Sequence, residues 1–83
     1  MKGHVADINW QRGMVGVLTE NGDYSIFELL GEDTIEVGDE VYWRNDTSLG
    51  NESLKNVTKN VSFDVYFQNH HVTKSGLRKQ LLY

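Results

Sequence analysis

The chain has 83 residues, and none of them is cysteine or proline. Without thiols there is no disulfide framework and no thiolate metal site to hold a small fold together. No stretch approaches the ~18 consecutive apolar residues of a membrane span. Residues 1–10 lack the apolar centre of a signal peptide. The expectation is a prokaryotic, cytoplasmic protein with no membrane partner. The sequons at Asn45, Asn51, Asn56 and Asn60 then carry no message about glycosylation. Internal repeats and low-complexity tracts are missing as well.

Positive charge is scarce in the first part of the chain. Residues 1–53 hold Lys2, Arg12 and Arg44 against eleven acids, whereas residues 54–83 hold Lys55, Lys59, Lys74, Arg78 and Lys79 against Asp64 alone. An acidic body repels phosphate and a basic tail attracts it, although a solvated tail with no partner explains the same pattern. Hydrophobic residues make up 39% of the chain, with nine aromatics, which is enough for one compact domain of modest stability.

Strand signals dominate what is present. Lys2 to Ile8 reads as a first strand. Met14 to Glu20 and Asp23 to Leu30 read as a hairpin around Asn21-Gly22, a pair that tolerates the positive φ of a tight turn. Gly31 to Glu36 is polar and turn-like. Val37-Gly38-Asp39 turns into a strand from Glu40 to Arg44. Residues 45–53 form a loop, and Leu54 to Thr58 a short strand. In residues 61–67, Val61, Phe63, Val65 and Phe67 alternate with polar positions at the period of a strand. The end, from Ser75 to Tyr83, predicts a short helix with Ser75 as N-cap and Leu77 and Leu81 on one face. Such a helix is unstable alone and must dock on something.

Five short strands with a tight second hairpin predict a small barrel. Particular residues sharpen this: "MKGHV" at the start, Asn9, Arg12-Gly13, Gly22, Ile26-Phe27, "VGDEV" at 37–41 and Asn56-Val57. In this order and spacing the chain resembles a cold-shock domain, an oligonucleotide/oligosaccharide-binding barrel. The resemblance covers about residues 1–58, leaving 59–83 as a C-terminal extension with a further strand and short helix that packs on the same domain.

The resemblance implies binding of single-stranded nucleic acid by stacking bases on aromatics of the first three strands, at ~1–3 kcal/mol per base. That surface is altered here. Asp7 stands where the family usually has tryptophan. Ile8, Met14 and Gly16 stand where it usually has phenylalanine. Phe27 matches. Leu29 replaces a histidine and Leu30 a phenylalanine, and Val15 stands at the glycine of the first ribonucleoprotein motif. A two-residue turn at Asn21-Gly22 pairs Thr19 with Tyr24, Val17 with Ile26 and Val15 with Glu28. Those six, with Val5, Val41 and Trp43, are the expected interior. Met14, Gly16, Leu18, Ser25, Phe27 and Leu29 are the expected outer face. An aliphatic outer face calls for a cover. The extension, within the chain or across a dimer, is the expected one.

No enzyme chemistry is expected. The acids sit in turns such as Glu32-Asp33 and Asp39-Glu40, and Ser48 and Ser53 have no base nearby in sequence. His70-His71 does not predict a metal site: neighbouring side chains on a strand point apart, and both histidines are expected in a loop. No cofactor is expected. Two functions stay open. One is weak, non-catalytic binding of single-stranded RNA or DNA through Lys2, Trp10, Arg12, Phe27, Lys55 and Lys59. There Trp10 stacks a base or caps the barrel rim, and Arg12 holds a phosphate. The other is a protein-interaction or regulatory module. Its former nucleic-acid face, marked by Asp7, Met14, Gly16 and Leu29, is covered by the extension, another protein or a second copy.

Overall fold

The computed structural model describes residues 1–31 and 34–83; Glu32 and Asp33, read above as turn acids, lie outside the described residues. The strands are β1 (Lys2–Asn9), β2 (Met14–Thr19), β3 (Tyr24–Leu29), β4 (Glu40–Tyr42), β5 (Gly50–Asn56) and β6 (Val61–Val72). A 3-10 turn (Lys74–Gly76) and a single α-helical turn, α1 (Leu77–Gln80), follow. The strands close into an antiparallel barrel in the order β1-β2-β3-β6-β5-β4. Among the described residues the barrel therefore has six strands, not the five expected. The difference lies in β6, which runs through His70 and His71 to Val72 and zips between β3 and β5. The apolar alternation of residues 61–67 is the signature of a barrel stave rather than of a cover.

The β2–β3 hairpin corrects a second expectation. The Gly22 amide donates to Thr19 O at 3.0 Å, and the Thr19 amide donates to Asp23 O at 2.8 Å. Gly22 has φ +87°. This is a three-residue loop, a turn closed by a glycine bulge, in place of the two-residue turn. The Thr19 hydroxyl fixes it by donating to Asp23 Oδ1 at 2.7 Å. The register moves by one residue, so Leu18 faces Tyr24, Val17 faces Ser25 and Val15 faces Phe27. On β3 a slip of one exchanges the two faces. Phe27 therefore lies inside the barrel, fully buried, with its ring edge-on to Phe67 at 5.4 Å. Tyr24 and Ile26 turn to the outer face.

Val5, Ile8, Val15, Val17, Phe27, Ile35, Val41, Trp43, Leu54, Val65 and Phe67 fill the interior. Trp43 lies against Phe67 with ring centroids 4.9 Å apart. A second apolar cluster lies outside the β2–β3 sheet: Met14, Tyr24, Ile26, Val72, Leu77 and Leu81.

A buried polar clamp joins the β4 entrance to the end of β5. Asp39 Oδ2 accepts from the Glu36 amide at 2.9 Å and from Asn56 Nδ2 at 2.8 Å, while Asp39 Oδ1 meets Lys59 Nζ at 2.9 Å. Burial pushes the Asp39 pKa up, but the bonds from Asn56 and Lys59 outweigh it, and the carboxyl ends below its ordinary value.

Candidate nucleic-acid interface

The C-terminal segment decides which surfaces remain open. After Thr73 the chain makes one 3-10 turn and one α-helical turn, and this places Leu77 and Leu81 on Met14, Tyr24 and Ile26. Ser75 does not cap the helix. It stands inside the 3-10 turn, and its hydroxyl is 3.1 Å from that of Thr73. Gly16 makes the docking possible: a Cβ there would come within 2.6 Å of Leu77 Cδ1. Burying two leucines this way is worth about 1.5–3 kcal/mol each, which a lone helical turn in water cannot supply for itself.

Polar contacts fasten the same segment to the end of β1. Asn9 Nδ2 donates to Leu81 O at 2.8 Å, and this pair is buried. The Tyr83 hydroxyl reaches Ile8 O at 2.8 Å and Asp7 Oδ1 at 3.1 Å. Arg78 lies 3.7 Å from Asp7 Oδ2, with its guanidinium 4.1 Å above the Tyr83 ring. Burial of the Tyr83 hydroxyl, and then its bond to the Asp7 carboxylate, pushes the phenol pKa up. Asp7 is turned outward by an irregularity in β1 between Val5 and Asp7. It therefore holds a ring and a cation that the tail delivers.

Beyond Asn9 the chain turns toward β2. Trp10 is 63% exposed at this turn, so it does not plug the barrel end. The Arg12 amide returns to Asn9 O at 3.2 Å, and the Arg12 side chain borders a cleft with Met14, Glu28, Gln68, Gln80 and Leu82. Leu82 and Tyr83 are half exposed. Trp10 follows Asn9 in the chain, the Arg12 amide bonds back to Asn9, and Arg78 and Tyr83 are held at the neighbouring Asp7 and Ile8, so all four residues belong to one end of the barrel. Sequence spacing joins the first two, whereas Arg78 and Tyr83 come from the far end of the chain. Their only signal in the sequence is the positive charge of the tail.

The other expected contact residues lie apart. Phe27 is interior and offers no ring to solvent, so the expectation that it stacks a base is corrected by the hairpin register. Lys59 is bound between Asp39 and Glu36 at 2.9 and 3.0 Å, and these contacts raise its pKa. Lys2 and Lys55 are exposed on β1 and β5, at the opposite end of β1 from Trp10. Of the residues marking the converted face, Met14 and Gly16 lie under α1, Asp7 lies beside it, and Leu29 packs against the interior cluster.

The two histidines belong to β6 rather than to a loop, and they do point apart. His70 stacks on Phe67 at 5.0 Å, with Nδ1 2.8 Å from Ser25 Oγ and Nε2 2.5 Å from Ser48 O. A carbonyl only accepts, so Nε2 carries the hydrogen, and in the neutral ring Nδ1 accepts from the Ser25 hydroxyl. His71 Nδ1 meets Asp23 Oδ2 at 2.8 Å. Bonds from the Thr19 hydroxyl and from His71 lower the Asp23 pKa. Among the described residues, no three His, Cys, Asp or Glu side chains converge as metal ligands.

The fold and this surface define a small all-β antiparallel barrel with a short C-terminal helix, compatible with an oligonucleotide/oligosaccharide-binding type of barrel. Among the described residues, no helix is long and apolar enough to cross a membrane. No protein-family model, curated protein or solved structure matches the chain.

Proposed function

We propose that this protein is a divergent cold-shock-like barrel that binds single-stranded nucleic acid weakly and without catalysis. The observation that carries this reading is that Arg78 and Tyr83 are fastened at Asp7 and Ile8, at the same barrel end as the exposed Trp10 and as Arg12, whose amide bonds to Asn9. Single strands are held by flat rings for the bases and cations for the phosphates. The strands have lost their stacking rings, and α1 covers the β2–β3 face. The exposed indole and the cation-topped phenol offer a replacement at the barrel end. Acids of the body keep the affinity low: Glu28 borders the same cleft as Arg12, and Asp7 competes for Arg78.

Titration of a fluorescent single strand by the protein, at low and at moderate salt, tests this. The expected affinity is micromolar or weaker at physiological salt, with a shallow salt slope from few phosphate contacts. Trp10→Ala and Arg12→Gln should each weaken binding to all sequences. No saturable binding at low salt would refute the proposal.

A second reading, a protein-interaction or regulatory module, draws on the exposure of Leu82, Tyr83 and Trp10 at the same end of the barrel. Such apolar exposure at one barrel end suits a protein contact as well. Saturable binding to a protein partner that Trp10→Ala abolishes, with no oligonucleotide binding at low salt, would favour it.

A further inference from the structure

The barrel carries a second exposed ring set among cations. In the sheet register Tyr42 of β4 stands directly between Lys2 of β1 and Lys55 of β5. Tyr42 is 47% exposed. Tyr42, Trp43, Arg44 and Lys55 border one cleft together with Glu52. Cross-strand neighbours lie ~5 Å apart, so the two lysines flank the ring from both sides.

This second group is linked to the Trp10 end by β1 itself. The outward residues of β1 are Lys2, His4 and Ala6, all exposed, and after the irregularity Asp7. Eight residues of strand span about 25 Å. The route ends at Tyr42 and Lys2 on one side and at Asp7, Arg78 and Tyr83 on the other. Along it lie the small Ala6, the imidazole of His4 and the half-exposed Leu18, which faces His4 across the sheet. Glu40, whose carboxylate is 3.8 Å from His4 Nε2, is the acid beside the middle of the route. Glu20 receives the Lys2 amide at 3.1 Å near its start.

We infer that one single strand runs along the outer side of β1, with Trp10 and Tyr83 as one stacking station and Tyr42 as the other. The inference rests on the nucleic-acid reading and adds to it a path, a second site and a minimum ligand length. A strand too short to reach both stations uses the Trp10 end alone, where two exposed rings, Trp10 and Tyr83, are offered instead of one. A longer one engages Tyr42, Lys2 and Lys55 as well. Because the second station is tethered to the first by the ligand, even a weak contact adds to the affinity. Site sizes of ~4–16 nucleotides are usual for barrels of this kind.

The test compares oligothymidylates of about 4 and about 12 nucleotides, lengths that bracket that range. Full-length protein, Trp10→Ala, Tyr42→Ala and the double variant Lys2→Gln/Lys55→Gln are titrated with each, after melting curves show that all four are folded. The longer strand should bind the unaltered protein at least about tenfold more tightly, one decade being a modest tethering gain. Tyr42→Ala should remove most of that gain and leave the short strand unaffected. Tyr42→Phe, titrated as a fifth protein, should keep it. The double lysine variant should flatten the salt slope for the longer strand only, by roughly 0.7 per lost phosphate contact. Trp10→Ala should weaken both lengths. Equal affinities at the two lengths, or a length gain that survives Tyr42→Ala, would overturn the route while leaving the Trp10 site standing. If neither strand binds any of the five proteins, the site and the route fall together.

Discussion

Leu77 occupies the space that Gly16 leaves. A Cβ on Gly16 would come within 2.6 Å of Leu77 Cδ1 and within 3.6 Å of the two Leu81 methyl carbons. A position that the family resemblance assigns to a base-stacking ring is therefore the floor on which the chain's own C-terminus rests.

Gly16→Ala should consequently dislodge the segment. Overpacking of this kind costs about 1–3 kcal/mol, or else the last turn undocks. Deleting residues 73–83 should act in the same direction and bare Met14, Tyr24 and Ile26. The expected outcome is a lower melting temperature, or self-association visible by sedimentation. A monomeric deletion variant with an unchanged midpoint would show that the cover contributes nothing. Removing residues 59–83 is a different experiment, because it also takes away β6 and opens the barrel.

Phe27 supports the barrel from within, so its loss should be structural. Phe27→Ala should cost about 3–5 kcal/mol, a large part of the ~5–15 available to a small domain. Phe27→Leu, a milder change, should lower the melting temperature and leave oligonucleotide affinity unaltered. A tenfold loss of affinity in folded Phe27→Leu would mean that the ring reaches the ligand.

The exchange of faces on β3 shows where sequence legibility stopped. The first four strands, a turn at Asn21-Gly22 and the interior place of Trp43 could be read, whereas β5 starts at Gly50, inside the stretch expected to be a loop, and ends at Asn56 rather than Thr58. The register could not be read. Asn-Gly suits a two-residue turn, but the Thr19–Asp23 side-chain bond selects the longer loop with Gly22 as its bulge, and one residue of slip moves Phe27 inside. The sixth stave was hidden for another reason. Polar residues follow Phe67, so β6 stops looking like a strand there. Irregularities in its pairing with β3 and a positive φ at His71 break the period-two pattern while the hydrogen bonding continues. In the candidate interface, Trp10 and Arg12 were visible as neighbours. Arg78 and Tyr83 reach them only through contacts such as Asn9 to Leu81 O, which span nearly the whole chain.

The Asp39 clamp gives the fold an acid limit. Its carboxyl has a folded-state pKa below the ordinary value of 3.8. The stabilisation it provides is therefore complete above that ordinary value and is lost as pH falls through the lower, folded-state one. Asp23, lowered by Thr19 and His71, contributes with the same sign. Melting temperature should be insensitive to Asp39 titration near neutrality and should drop below about pH 4. Asp39→Asn should cost about 1–3 kcal/mol near neutrality, since it weakens a buried hydrogen-bonded group and leaves Lys59 paired with the exposed Glu36 alone. The variant should also show a shallower acid decline, the remainder coming from Asp23. An identical pH profile for variant and parent would contradict the clamp.

Asp7 opposes phosphate at the proposed binding end. Its carboxylate holds Arg78 at 3.7 Å and accepts from Tyr83. Asp7→Asn removes the charge and keeps a group able to accept from the phenol. Arg78 is then available to phosphate, so affinity for a single strand should rise several-fold, and the salt slope should steepen by about 0.7 for one added contact. Lower affinity in a folded Asp7→Asn variant would show instead that Asp7 is needed to present Arg78.

The two indoles supply the most direct measurement. Trp10 is exposed at the proposed site, and Trp43 is 1% exposed in the core, so the pair gives a probe and a control within one spectrum. A 15N-labelled sample is titrated at low salt with a single-stranded oligonucleotide of about four nucleotides, too short to reach the Tyr42 cleft, while the two side-chain Nε1–H signals are followed. The Trp10 signal should shift progressively and saturate, accompanied by the backbone amides of Arg12, Arg78 and Tyr83, with Trp43 unmoved. A Trp10 signal that stays fixed up to millimolar ligand, or shifts centred on residues far from Asn9 and β1, would contradict the assignment of this barrel end to nucleic acid.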